Sequence, residues 1–185
     1  SGIETTTGPL GQGFANAVGM AIAEKIMNAR FGSTIVDHRT FVIVGDGCLM
    51  EGISHEAASI AGHLRLEKLV VLFDDNGITI DGSTTLALSD DVMQRFSSLG
   101  WDVQSIDGHN YDSIDQALSN IKNVNRPSLI ACKTRIAKGA PNKEGSSSSH
   151  GAPLGKEEVT GVKKYMNLKN EPFYIPDNIL DCWRK

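Results

Sequence analysis

The residues most capable of chemistry are those around Asp46, where a short apolar run delivers a carboxylate between Gly45 and Gly47. Gly47 has no Cβ, so backbone N–H groups there can approach a bulky anion such as a diphosphate closely. A carboxylate and a diphosphate repel each other. A hard cation such as Mg²⁺ removes the conflict, because it takes oxygen ligands from both. Since Gly-Asp-Gly alone is more often a turn, a site needs a second source of oxygen ligands.

Asn76 offers that second source, because it follows the next predicted strand along the chain. A crossover helix between two parallel strands brings their carboxyl ends together at one edge of a sheet, where ligands bind. Asn76-Gly77 also allows a sharp turn that could present the carbonyl of Ile78. We predict that Asp46, Asn76 and the Ile78 carbonyl bind Mg²⁺ or Ca²⁺, with two diphosphate oxygens and one water completing six ligands. Asp74 and Asp75 are assigned no role.

Helical and strand patterns alternate along the chain. Helical patterns predict helices over 9–30, 54–63, 89–99 and 111–122. Short apolar runs predict buried strands over 41–44 and 69–73, and two further strands are predicted over 101–106 and, after Pro127, over 128–134. This order predicts an α/β fold, a mostly parallel sheet with helices on both faces. Ser54 is expected to cap the second helix. We expect one domain over residues 1–185 that lacks its N-terminal part, because the first helical pattern begins almost at once.

Composition excludes several classes of protein. The chain has 185 residues, 40% hydrophobic and 22% charged, with a formal net charge of -4 and no basic stripe, so no nucleic-acid surface is predicted. No apolar run is long enough to cross a membrane. Cys48, Cys132 and Cys182 are far apart and odd in number. They are expected to be buried, unpaired thiols in a reducing, cytoplasmic compartment.

Three segments resemble the transketolase family. They are residues 4–13 (ETTTGPLGQG), 45–54 (GDGCLMEGIS) and 150–155 (HGAPLG), within a match that runs from residue 2 to about 168. Gly-Asp-Gly followed by Asn76 is also similar to the metal motif shared by thiamine diphosphate enzymes. The resemblance implies the thiamine-diphosphate-binding fold. It also implies a homodimeric parent enzyme of the pentose phosphate pathway that moves a two-carbon ketol unit between sugar phosphates.

The resemblance also implies roles for individual residues. Gly8, Pro9 and Leu10 would line the thiamine pocket, Gly47 would contact the diphosphate through its backbone, and Asn76 would bind the cofactor through the metal. These residue types suit a flat ring and a bulky anion, although a glycine-rich helix start would account for the glycines equally well.

Two catalytic residues are implied in the same way. Glu51 would belong to a carboxylate relay between the active sites of the dimer, and His150 would contact cofactor and substrate and shuttle protons near neutral pH. Ala137 stands where relatives commonly carry glycine, which leaves open the path of the loop that holds His150. His55, His63 and His109 are expected to be structural or surface residues.

Alternatives remain open at this point. A dihydroxyacetone synthase looks similar in this region, and a non-catalytic cofactor-binding or assembly subunit would also fit. The upstream histidines, the glutamate that activates the aminopyrimidine and the sugar-phosphate-binding basic residues of the family lie outside these residues. The chain by itself is therefore expected to be inactive.

Overall fold

The computed structural model describes residues 2–184, which divide into two compact units that meet at Thr134 and Arg135 in the sequence. The helices of the first unit are Gln12–Phe31 (α1), Asp46–Met50 (α2), Gly52–His63 (α3), Val92–Ser98 (α4) and Tyr111–Asn120 (α5). Its strands are Thr40–Gly45 (β1), Leu69–Asp75 (β2), Ile78–Thr79 (β3), Gly82–Ser83 (β4), Asp102–Asp107 (β5) and Ser128–Lys133 (β6). Single 3₁₀ turns lie at Thr84–Leu86 and Ile121–Asn123.

The main sheet of the first unit is parallel throughout. Within the described residues its strand order is β1-β2-β6-β5, and each neighbouring pair runs in the same direction. Strands β3 and β4 form a separate two-residue antiparallel pair directly after β2. The predicted mostly parallel sheet is confirmed, and all four of its strands were predicted from the sequence.

Helices cover both faces of this sheet. Alternate residues of β2 point to opposite faces, as strand geometry requires. Leu69 and Val71 lie in a core cluster with residues of α1, α3 and α4, whereas Val70 lies in a second cluster with Ala117 of α5. Continuous apolar runs are typical of strands buried on two faces. The prediction of helices on both faces is confirmed.

The region after β1 differs from the prediction. The chain enters α2 at Asp46 with no intervening loop, α2 ends at Met50, and Glu51 adopts an extended conformation before α3 begins. Ser54 is therefore not a helix cap, and that prediction is wrong. Ser54 is buried instead, and its hydroxyl donates to the carbonyl of Cys48 across the break between the two helices.

The second unit contains Lys156–Tyr165 (α6) and Asp177–Arg184 (α7), with a 3₁₀ turn at Ser147–Ser149. Residues 138–155, predicted as a long loop, form a series of turns held by two carboxylates. Glu144 accepts from the Gly139 N–H at 2.8 Å, and Glu158 accepts from the backbone and side chain of Asn142 at 3.1 and 2.8 Å. The loop therefore has a defined path within its own unit.

Two compositional expectations can be compared with the structure. None of the helices in residues 2–184 has the length and apolar character needed to cross a bilayer. Cys48, Cys132 and Cys182 are all free thiols, the first two partly buried and the last exposed. The prediction of unpaired thiols is confirmed, but the prediction that they are buried is wrong for Cys182, because it lies on α7, which has no buried residue. The compartment and the prediction of one domain over 1–185 stay predictions.

Candidate cofactor and metal site

The site is built where β1 and β2 end side by side. Gly45 pairs with Asp74 in the parallel register, so the residues that follow each strand share one edge of the sheet. Asp46 is only 8% exposed, and its Oδ2 is buried with no hydrogen-bond partner among residues 2–184. Burying a carboxylate oxygen without a partner is costly, and such groups are normally paired or coordinate a metal. This oxygen therefore fits a cation ligand.

The electrostatics of Asp46 support the same interpretation. Burial, together with the negative charges of Asp75 and Asp74, raises the pKa of Asp46 to about 6, although interactions with the backbone N–H groups of Gly77 and Asn76 oppose the rise. The Asp46 carboxyl group therefore lies beside the Asn76–Gly77 turn, as the crossover argument predicted. A divalent cation would favour the ionised carboxylate and reverse this shift.

Asn76 is held at both ends of its amide. Its Nδ2 donates to Oδ2 of Asp74 at 2.8 Å, and its Oδ1 accepts from the backbone N–H of Ile78 at 2.9 Å. Gly77, with φ 69°, supplies the left-handed residue that lets the chain turn back here. A carbonyl oxygen has two lone pairs, so Oδ1 keeps one for a cation.

Two predicted cofactor contacts lie against each other. A Cβ added at Gly47 would come within 3.3 Å of Leu10 Cδ1, which is closer than side chains normally pack. Leu10 is 50% exposed, and Gly8 and Pro9 before it are exposed as well. Gly11 follows with φ 80° and leads into α1. The exposed Leu10 side chain can pack against a flat ring, and the Gly47 backbone, which has no Cβ, leaves room for an anion attached to that ring.

The two predicted catalytic residues lie in different units. Glu51 is exposed at the break between α2 and α3, and a Cβ added at Gly11 would lie 3.0 Å from its Cβ. His150 is exposed in the second unit, where its backbone N–H donates to the carbonyl of Ser147 at 2.9 Å. The roles of both residues stay predictions.

Asp74 and Asp75 have partners that the sequence analysis missed. Asp74 accepts from the hydroxyl of Thr134 as well as from Asn76, and Asp75 forms an ion pair with Lys133. Opposite charges at the paired positions 75 and 133 were an available signal, but using it required the β2–β6 register. The described residues hold no group of three or more His, Cys, Asp and Glu placed to bind a metal. A cation here would depend on amide and carbonyl oxygens beside Asp46.

Comparison with known proteins shows the family of the chain. The profile of the family described as "Transketolase, thiamine diphosphate binding domain" matches residues 1–185. Transketolase of Sinorhizobium medicae is 53% identical over 184 residues, which are 100% of this chain and 26% of that protein. Transketolase of Buchnera aphidicola is 54% identical over 187 residues, covering 98% of this chain and 28% of that protein.

Solved structures give the same result. Transketolase of Campylobacter jejuni superposes with a TM-score of 0.92 at 46% identity, over 96% of this chain and 28% of that one. Transketolase of Leishmania mexicana gives 0.94 at 43% identity, over 99% and 28%. The chain thus spans about a quarter of the length of these relatives. On the fold and these matches together, the chain belongs to the transketolase family, and all 185 of its residues match the model of the family's thiamine diphosphate binding domain.

Proposed function

We propose that the protein containing this chain transfers a two-carbon ketol unit from a ketose phosphate to an aldose phosphate, and that this chain anchors thiamine diphosphate through a divalent cation. The observation that carries the metal anchor is the buried Asp46 oxygen beside the Asn76–Gly77 turn. Sugar phosphates as substrates are supported by relatives 39–40% identical, the Pichia stipitis transketolases solved with fructose-6-phosphate and with sedoheptulose-7-phosphate. We propose that the reaction belongs to the pentose phosphate pathway, which uses sugar phosphates of this kind.

Each anchoring residue has a separate task. Asp46 supplies the charged oxygen, and Asn76 and the Ile78 carbonyl supply neutral oxygens, so the set suits Mg²⁺ or Ca²⁺, which prefer oxygen ligands. The backbone at Gly47 can approach the diphosphate because no Cβ intervenes, and Leu10 beside it provides an apolar contact for the ring. Gly8 and Pro9 extend the surface that contacts the ring.

Bound thiamine diphosphate supplies the carbon nucleophile and the electron sink for ketol transfer, and the protein supplies orientation and proton transfer. His150 donates hydrogen bonds to substrate oxygens and moves protons at them near neutral pH, a range suited to imidazole. Glu51, exposed beside Gly11, takes part in a carboxylate relay across a homodimer interface. We place the protein in the cytoplasm, in keeping with its free cysteines.

The test uses the full-length protein and calorimetry of thiamine diphosphate binding in the presence of Mg²⁺. Asp46→Ala removes the charged ligand, and we expect cofactor affinity to fall at least about tenfold, equivalent to about 1.4 kcal/mol. Asp115→Ala, which removes an exposed carboxylate from α5, is the matched control and should bind as the wild type does. Equal affinity in the Asp46 variant would contradict the metal site. Absence of ketol transfer from fructose 6-phosphate by the wild-type protein would contradict the activity.

A further inference from the structure

An amide ligand has a problem that a carboxylate ligand lacks. One terminal atom of Asn76 is an oxygen that can bind a cation, and the other is an NH₂ group that cannot. A half-turn about the last side-chain bond exchanges the two, and the shapes of the two arrangements are nearly identical. A metal site that includes Asn76 therefore needs something that fixes which end faces the cation.

Asp74 meets this need in the first unit. One of its carboxylate oxygens, Oδ2, accepts from Nδ2 of Asn76 at 2.8 Å. An ionised carboxylate can only accept hydrogen bonds, so it binds the NH₂ end of the amide and repels the oxygen end. The Ile78 N–H, which donates to Oδ1 at 2.9 Å, favours the same orientation from the opposite side.

The second oxygen of Asp74 is held by a neighbouring strand. The hydroxyl of Thr134 donates to Oδ1 of Asp74, and the Thr134 backbone N–H donates to the carbonyl of Asp75 at 3.3 Å. Thr134 follows β6, whose register pairs Cys132 with Asp74. Each oxygen of Asp74 thus accepts a hydrogen bond from a different residue, which fixes the carboxylate as a support for Asn76.

We propose that Asp74, fixed by Thr134, is a positioning residue that keeps the oxygen of the Asn76 amide turned toward the cation. The inference rests on the proposed metal site at Asp46 and Asn76. Hydrogen-bond partners of metal ligands typically change metal affinity by about 10- to 100-fold when they are removed. Because the Ile78 N–H remains, we expect the lower end of that range for the loss of Asp74.

The test measures Mn²⁺ affinity of the full-length protein by electron paramagnetic resonance at one fixed concentration of thiamine diphosphate. Asp74→Ala should weaken Mn²⁺ binding about tenfold. Asp74→Asn should restore it to within about threefold, since its amide oxygen can accept from Asn76 while the Thr134 hydroxyl accepts from its NH₂ group. Asp75→Asn removes one neighbouring charge without touching Asn76, and it should also stay within about threefold.

The decisive comparison uses Asn76→Asp as the background. A carboxylate at position 76 has oxygen at both ends, so its orientation no longer matters, and Asp74→Ala should not weaken Mn²⁺ binding in this background. Removing Asp74 there also removes repulsion between two carboxylates, so affinity should stay the same or rise. A residue needed only for the local fold would weaken binding equally in both backgrounds, and that result would overturn the inference. It would also be overturned if Asp74→Asn weakened binding as much as Asp74→Ala, because charge would then be the cause.

A second pair of variants guards against misfolding of Asp74→Ala, which is checked by thermal denaturation. Thr134→Val removes the hydroxyl that fixes Asp74 and should weaken Mn²⁺ binding at least about threefold, while Thr134→Ser should restore it. Unchanged affinity in the valine variant would count against the proposal. Asp46→Ala separates the two hypotheses: normal Mn²⁺ binding in that variant refutes the metal site itself, whereas its loss with no effect of Asp74→Ala refutes only the positioning role.

Discussion

Asp46→Asn should stabilise the metal-free protein at alkaline pH and have little effect at acidic pH. The pKa of Asp46 is raised from its ordinary value of 3.8 to about 6, mainly by burial. A carboxyl group whose folded pKa is raised contributes stability that is fully present below its unfolded pKa and is lost as pH rises through the folded pKa. A shift of roughly two units corresponds to about 3 kcal/mol, which is an upper bound for the cost of ionised Asp46 at pH 8.

Hydrogen exchange of the α2 amides in the full-length protein measures the relevant free energy, since it reports local opening in the segment that holds Asp46. With intrinsic exchange rates corrected for pH, Asp46→Asn should raise the opening free energy by about 1–3 kcal/mol at pH 8 and by little at pH 4.5. The lower value of about 1 kcal/mol applies if the NH₂ group of the introduced asparagine lacks a full set of hydrogen-bond partners. Asp115→Asn, on the exposed surface of α5, should change it by less than about 0.5 kcal/mol.

Cation binding should then reverse the comparison between the wild type and Asp46→Asn, so that the wild type has the higher opening free energy of α2 at pH 8. Mg²⁺ with thiamine diphosphate should protect α2 of the wild type strongly at pH 8 and weakly at pH 5, because protons compete with the metal for Asp46 below about pH 6. The asparagine variant should gain little protection at either pH. An equal effect of Asp46→Asn at pH 4.5 and pH 8 would refute the argument from burial, and full Mg²⁺ protection of the variant would refute the ligand assignment.

Three further predictions concern the loop and the isolated chain. His150→Ala should lower turnover at least about tenfold and weaken donor-sugar binding, with a smaller loss of cofactor affinity than Asp46→Ala. The control variant His63→Ala should leave steady-state kinetics unchanged from pH 6 to 9. The same unchanged kinetics in His150→Ala would contradict the prediction. Ala137→Gly should raise the thermal midpoint and increase the free energy of unfolding by up to about 1 kcal/mol, because Ala137 has the left-handed φ of 53°. The control Ala23→Gly in α1 should lower the free energy of unfolding by about 1 kcal/mol. A change of the same sign in both variants would exclude backbone strain as the cause. The isolated 185-residue chain should bind thiamine diphosphate weakly and only with Mg²⁺, without ketol transfer, and ordinary enzymatic rates from a sample free of host transketolase would contradict this.

The sequence predicted those features that depend on local patterns. All four strands of the parallel sheet were predicted, β1 and β2 from apolar runs of strand length, because such a run between helical patterns leaves few other arrangements. The meeting of Asp46 with the Asn76–Gly77 turn followed from topology alone, since successive parallel strands joined by a crossover end at the same edge. The glycine turn after Asn76 was also correct, because Asn-Gly strongly favours a residue with positive φ.

Features set by contacts between distant residues were not predictable. The role of Asp74 depends on Thr134, which approaches only because β6 lies next to β2, and no local pattern specifies that neighbour. Glu24 shows the same limit. It lies on the buried side of α1, only 4% exposed, and is paired with Lys68 at 2.7 Å. A helical pattern alone places such a charge on the solvent side, since buried acidic residues are rare unless they are paired.

The break between α2 and α3 was missed for a different reason. Residues 46–63 contain no proline, and their composition favours one helix that starts at a capping serine. In the structure the strand runs directly into α2, and the extended Glu51 separates the two helices. This arrangement puts Asp46 and Gly47 in a first helical turn, where backbone N–H groups have no partner within the helix. The departure from the simple pattern therefore lies at the residues that the proposed site needs.

The charges around the site also explain why position 76 carries an amide. When ionised, Asp46, Asp74 and Asp75 carry -3, and Lys133, paired with Asp75, contributes +1, so the sum is -3 + 1 = -2. One divalent cation cancels this sum and leaves no excess negative charge toward a diphosphate. A fourth carboxylate at position 76 would bind the cation more strongly but would leave the loaded site negative and repel the cofactor. An amide avoids this at the cost of an ambiguous orientation, which is the ambiguity that Asp74 and Thr134 are placed to remove.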